Sequence, residues 1–169
     1  MKFRVLLIIV TLLGGLFAVA SDFLYEGHFV DQHPIYSISY LTKAACEADQ
    51  GKWDGESEDD GFCVFEVEDD AVIARNESGE LQLTVSMVGS NYHTCDFESV
   101  VGTVVQTDTL LFSAPSEEWD SETGEFLKKT CEITVKYLNS DEVSLSNNGS
   151  CTSSCGANMS LEIEKAVRK

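Results

Sequence analysis

Residues 80–88 constrain the fold most, because polar residues alternate there with Leu81, Leu83, Val85 and Met87. Successive side chains of a β-strand point to opposite faces of the sheet, so this period is typical of a strand with one buried face. We therefore predict that these residues form a strand that lines the core of a β domain.

The same period of two recurs in residues 130–138, where Cys131, Ile133, Val135 and Tyr137 share one phase. Residues 42–48 favour the one helix, with Thr42 as its N-cap. Short alternating segments with few long connections predict an all-β fold, either a small antiparallel barrel or a sandwich. We expect about eight strands and one short N-terminal helix. The further candidate strands are residues 34–41, 63–68, 71–75, 93–101, 103–112, 143–146 and 159–164.

The N-terminal residues have the composition of a signal peptide. Lys2 and Arg4 precede a short apolar run, and small residues end that run at Ala20. This pattern predicts a cleaved signal peptide over residues 1–20 and a single β domain over residues 21–169. All six cysteines lie after residue 20, and an even number in an exported chain predicts three disulfides in a secreted or periplasmic protein.

Four of the cysteines follow the strand at residues 80–88. A hairpin turn at residues 139–142 brings Cys131 opposite about residue 150 or 151, within reach of a cross-strand bond to Cys151. Cys95 is then left to Cys155. The alternative is a bond between Cys95 and Cys131 with a local bond between Cys151 and Cys155. Both connectivities remain open on the sequence alone.

Two segments are long, polar and rich in carboxylates, namely residues 49–61 and residues 113–129. Cys46 and Cys63 flank the first segment, and we predict that they bond to each other and support it. The second segment shows neither strand nor helix period and is expected to be a long loop. A tryptophan among carboxylates makes this second loop the candidate binding site. Its candidate residues are Glu117, Glu118, Trp119 and Asp120.

The charge balance restricts the kinds of partner. The chain has 29 Asp and Glu residues but only 11 Lys and Arg residues, for a formal net charge of -18. Nucleic acids and anionic membranes attract basic surfaces, so both are excluded as predicted partners. We predict a basic protein as the partner, bound through the acidic loops.

The sequence contains no signature of catalysis or of a metal site. His93 and Cys95 are two residues apart, but a cysteine in an oxidising compartment is expected to be bonded and not nucleophilic. Asp31 lies between His28 and His33, yet their spacing fits neither a helical nor a strand-borne metal site. We therefore predict a non-enzymatic protein without a metal or a cofactor.

The cysteine motifs resemble those of a group of exported bacterial β proteins of uncharacterised function. The order is H-x-C at Cys95, C-x-I at Cys131 and C-x-x-x-C-G from Cys151. The chain is also distantly similar to the periplasmic lysozyme inhibitors, which are small disulfide-bonded barrels. It departs from their S-G-x-x-[YF] signature, because Gln82 stands at the aromatic position that would follow Ser78.

This resemblance implies an acidic inhibitor of a basic hydrolase such as lysozyme, which is one form of a non-enzymatic binding module. Two alternatives belong to other classes. An extracytoplasmic hydrolase with an unrecognised carboxylate site predicts converging Asp or Glu side chains in a concave pocket. A structural or ligand-carrying barrel predicts an apolar lumen.

Overall fold

The structure is a computed structural model that describes residues 25–58, 60–99, 101–155 and 160–169. The predicted signal peptide at residues 1–20 lies outside the described residues. In the described ranges, no helix is long and apolar enough to cross a membrane.

The described residues form ten β-strands and one α-helix. The helix α1 covers Lys43–Ala48, and the Thr42 hydroxyl accepts a hydrogen bond from the Ala45 amide at 3.3 Å, as its predicted N-cap role requires. The strands, in chain order, are β1 Gly27–Ser37, β2 Lys52–Gly55, β3 Gly61–Arg75, β4 Leu81–Val88, β5 Thr94–Glu98, β6 Val101–Gln106, β7 Thr109–Asp120, β8 Glu125–Tyr137, β9 Glu142–Asn147 and β10 Ile163–Arg168.

Nine strands form one curled antiparallel sheet in the order β5-β4-β3-β1-β10-β9-β8-β7-β6, and β2 pairs with the first residues of β3. The two edge strands β5 and β6 are consecutive in the chain. Glu98 and Val101 are three positions apart, a span of at most about 11 Å. This short connection holds the two edges of the sheet close together, so the sheet curls into a half-barrel. The predicted antiparallel all-β class is confirmed, with ten strands where about eight were expected.

The concave face of the sheet carries the hydrophobic core. Leu81, Leu83, Val85 and Met87 are buried there, as their alternation predicted. Strand β8 contributes a second buried row from its predicted apolar phase. The largest fully buried side chains also include Phe29, Phe112, Ile35, Ile73 and Leu161.

The prediction of a long loop at residues 113–129 is wrong. These residues form a hairpin, in which β7 and β8 pair continuously from Thr109 and Lys136 to Asp120 and Glu125, and residues 121–124 form the turn. Backbone hydrogen bonds pair the outer part of this hairpin, and nearly all of its side chains are exposed. Such a strand needs no buried apolar face, so its sequence shows no alternation of apolar and polar residues.

The predicted loop at residues 49–61 is also partly wrong. Lys52–Gly55 forms β2 and pairs with β3, which leaves a short acidic turn. Trp53 stays half-buried beside this turn and donates a hydrogen bond from Nε1 to the Ser57 carbonyl at 2.7 Å.

Several other strand boundaries differ from the predictions. The predicted segments 63–68 and 71–75 form one continuous strand, β3, and the predicted segment 93–101 is reduced to β5, since Val101 begins β6.

Strand β1 begins and ends earlier in the chain than the predicted segment 34–41. Within it, the side chain of Ile35 is buried and that of Tyr36 is exposed. The predicted single strand at residues 103–112 is two strands, β6 and β7. A turn at residues 107–108 separates them, and they pair with each other. The last strand, β10, begins later in the chain than the predicted segment 159–164. It includes most of the basic C-terminal residues.

Three disulfides connect the predicted cysteines: Cys46 with Cys63, Cys95 with Cys155, and Cys131 with Cys151. The Cys46 pair was predicted, and the other two bonds follow the first of the two connectivities left open by the sequence. Three disulfides indicate an oxidising, extracytoplasmic environment.

A candidate binding site on the β7–β8 arm

The predicted binding residues lie on the outer part of the β7–β8 hairpin, residues 116–129, which we call the arm. The strands pair here in register from Ser116 with Lys129 to Asp120 with Glu125. Every β8 residue from Glu125 to Thr130 is exposed, whereas the alternating burial of the sheet begins at Cys131. The arm therefore presents both of its faces to solvent.

The base of the arm is fixed to the body of the domain. Ser116 is 5% exposed, and its hydroxyl forms a hydrogen bond with the Ser153 hydroxyl at 2.8 Å. Cys131, two residues beyond the base on β8, is bonded to Cys151. A groove of about 700 Å³ runs beside this base, lined in part by Pro115. These contacts hold the arm in a defined direction.

The turn at the tip of the arm is organised by Asp120. Its carboxylate accepts hydrogen bonds from the Glu122 amide at 2.9 Å and the Thr123 hydroxyl at 2.8 Å. Both bonds lower the pKa of Asp120, and the bond from the Glu122 amide has the larger effect. Gly124 closes the turn with a φ of 70°, a left-handed conformation that glycine adopts without steric cost. Asp120 thus serves the turn and is not a free contact group.

An aromatic pair dominates one face of the arm. Trp119 lies directly opposite Phe126, and their ring centroids are 5.1 Å apart in an edge-to-face arrangement. The two residues are 57% and 64% exposed. Glu117 and Lys128 form the next cross-strand pair on the same face. An exposed aromatic pair on a regularly paired hairpin is suited to serve as an interface anchor.

The four predicted residues therefore do not form one cluster. Glu117 and Trp119 share the aromatic face, whereas Glu118 and Asp120 lie on the opposite face by the two-residue period of the strand. On that second face, the Lys129 amine lies 3.7 Å from a Glu118 carboxylate oxygen. Phe126 is not among the predicted residues, because only the strand register places it beside Trp119.

The arm carries more negative than positive charge. Residues 116–129 contain five carboxylates and two lysines, Lys128 and Lys129. Aromatic faces attract cations, and neighbouring carboxylates add to that attraction. The tip can therefore bind Lys or Arg side chains of another protein.

The structure excludes the thiol–imidazole pair considered from the sequence. Cys95 is fully buried and bonded to Cys155, while His93 lies outside β5 and is exposed. Ser78, part of the altered inhibitor signature, lies in the β3–β4 turn, where its amide donates to the Asn76 side chain at 3.0 Å.

Comparisons with known proteins found no matching family model, no matching curated protein and no matching solved structure. The resemblances given above thus rest on the sequence motifs alone.

Proposed function

We propose that this chain is a non-enzymatic binding module, secreted or periplasmic, whose arm binds a basic protein. The observation that carries the proposal is the exposed pair of Trp119 and Phe126 near the acidic tip of the arm. Large aromatic residues supply most of the binding energy in many interfaces, and the surrounding carboxylates select a cationic partner.

The electrostatics of the whole chain support the same partner. A formal net charge of -18 attracts a basic protein over long distances and accelerates the encounter. The aromatic face then provides short-range contact. The concrete form of the proposal is inhibition of a lysozyme-type hydrolase, in which the arm takes the place of the altered signature loop near Ser78.

Turbidimetric assays of cell-wall lysis test this form of the proposal. Chicken-type and goose-type lysozymes are assayed with and without near-stoichiometric amounts of the protein. Inhibition of either enzyme is the expected result. Full lysis in the presence of a large excess of the protein would contradict the lysozyme version.

Variants of the arm test the site itself. Replacing Trp119 with Ser is expected to weaken inhibition at least about tenfold, as for an anchoring aromatic. Val105→Ser is the matched control, because Val105 is 56% exposed but lies on β6, away from the arm. Binding must also weaken as salt rises to physiological concentration, since the Debye length then shortens to about 8 Å. Equal effects of the two variants would show that the arm is not the site.

The second candidate function is an extracytoplasmic hydrolase. It is favoured by the convergence of the Asp31 and Asp69 carboxylates, together with His33, in a cleft of about 570 Å³. Peptidoglycan and simple ester substrates are incubated with the protein and with its Asp69→Asn variant. Turnover that the variant lacks would establish the hydrolase.

The concave face is filled by core side chains, which leaves the ligand-carrying barrel without a supporting observation.

A further inference from the structure

Three ionisable side chains occupy positions on the core-facing phase of the sheet. Along β1, Asp31 and His33 fall between buried Phe29 and buried Ile35 on the same two-residue period. Asp69 shares the phase of Ala71 on β3 and is only 2% exposed. Most of the buried side chains on this phase are apolar, so a cluster of three ionisable groups marks a site with another purpose.

The strand register brings two of these carboxylates together. Asp31 and Asp69 are direct cross-strand partners of β1 and β3. Like charges in directly opposed positions destabilise a sheet unless a cation lies between them. Asp69 is almost fully buried, and the Val88 amide donates a hydrogen bond to its Oδ1 at 2.8 Å. The pair therefore calls for a positive charge.

The third side chain points its free nitrogen at the same place. His33 Nδ1 is buried and has no hydrogen-bond partner among the described residues. It lies 3.7 Å from Asp69 Oδ2 and 3.9 Å from Asp31 Oδ2, which are both beyond hydrogen-bonding distance. Asp69 Oδ2 also receives no hydrogen bond from the described part of the chain.

These separations suit a bound ion better than direct contact. Ligand atoms around a tetrahedral zinc ion, at about 2.1 Å from the metal, are about 3.4 Å apart. The three ligand atoms lie within 4.8 Å of one another, so small side-chain rotations bring them to that spacing. We propose that Asp31, His33 and Asp69 bind a divalent first-row transition-metal ion, with Zn²⁺ as the representative member.

The donor set defines the class of ion. One imidazole nitrogen and two carboxylate oxygens suit Zn²⁺ and its neighbours, whereas Ca²⁺ requires six to eight oxygen ligands. The cleft of about 570 Å³ is also lined by the acidic residues Glu162 and Glu164. Lys165 lines the cleft too, but its amine forms an ion pair with Glu142.

Zn²⁺ is the probe in the first experiment, which uses the chelator-treated protein in isothermal titration calorimetry. Uptake of one equivalent is expected, and His33→Gln or Asp69→Asn should weaken it at least about tenfold. The outward-facing neighbours provide matched controls, because His28 and Asp70 pair with each other on the opposite face of the same two strands. His28→Gln and Asp70→Asn should leave the affinity unchanged.

The unaltered protein provides a second measurement that does not depend on the variants' folding. The chain has three histidines, so its imidazole NMR signals are few. Zn²⁺ should shift the His33 signals and leave those of His28 and His93 in place.

Three results would overturn the proposal. The first is the absence of saturable Zn²⁺ uptake at one equivalent. The second is loss of Zn²⁺ binding in the His28 or Asp70 variant with retention in the His33 variant, and the third is binding of Ca²⁺ as tight as that of Zn²⁺. The second result would identify an adventitious surface pair. None of these outcomes bears on the arm, so the proposed binding function is tested separately.

Discussion

Replacing Cys95 and Cys155 with alanine removes the bond that joins the β5 edge of the sheet to the segment after β9. Residues 152–154 of that segment contact both β7 and β5, so the bond secures the segment against the two sides of the half-barrel. We predict that this replacement destabilises the protein more than replacement of Cys46 and Cys63, which supports only the region around α1 and β2.

The magnitudes follow from the lengths of the closed loops. The Cys95 bond spans 60 residues and the Cys46 bond spans 17. The Cys131–Cys151 bond lies inside the longer loop and spans 20 of its residues, so the effective loop has roughly 40 residues. In the chain-entropy treatment, the two loops correspond to about 3.9 and about 3.1 kcal/mol at 25 °C. At about 2–4 °C per kcal/mol for a chain of this size, the expected decreases in Tm are about 8–16 °C and about 6–12 °C.

Loss of packing does not account for the difference. Cys46, Cys63 and Cys95 are all fully buried and Cys155 is partly buried, so the two double variants remove similar amounts of buried sulfur. Thermal unfolding followed by far-ultraviolet circular dichroism measures both Tm values in one buffer. An equal or smaller decrease for the Cys95 and Cys155 variant would refute the argument from loop length.

Two further predictions concern an edge strand and the tip of the arm. Gly102→Ala should destabilise the protein by about 1–3 kcal/mol in urea unfolding, because the new Cβ would lie 2.3 Å from the ring of fully buried Phe112. Val104→Ala, on the same strand but 48% exposed, should change stability by less than about 0.5 kcal/mol; equal effects would contradict the packing argument. The lowered pKa of Asp120 means that its contribution to the turn is complete above its unfolded pKa and is lost as pH falls through the folded value. Hydrogen exchange of the Glu122 amide should therefore lose protection at acidic pH, and protection that does not change with pH would contradict this assignment.

The faces of the central strands were predictable because they depend on a local property. In residues 81–88 the alternation of side chains across the pleat specifies which residues are buried, whatever the neighbouring strand is. The cap at Thr42 is equally local, since the side chain bonds an amide three residues away. Both features were read correctly without knowledge of the fold.

The arm was not predictable in the same way. Residues 113–129 form strands because β7 and β8 continue to pair beyond the body, and pairing leaves no apolar period when both faces are exposed. The same register decided which candidate residues meet. It separated Glu118 from Trp119 and placed Phe126 beside Trp119.

The sequence by itself determined the β class, the buried phases of its main strands, the helix cap and the excess of negative charge, because each depends on composition or on neighbours within a few positions. Only the tertiary structure decided between the two cysteine connectivities and brought His33 to Asp69, which is 36 positions later in the chain. Strand register and the curling of the sheet arise from hydrogen bonds between distant segments, and no local pattern specifies them.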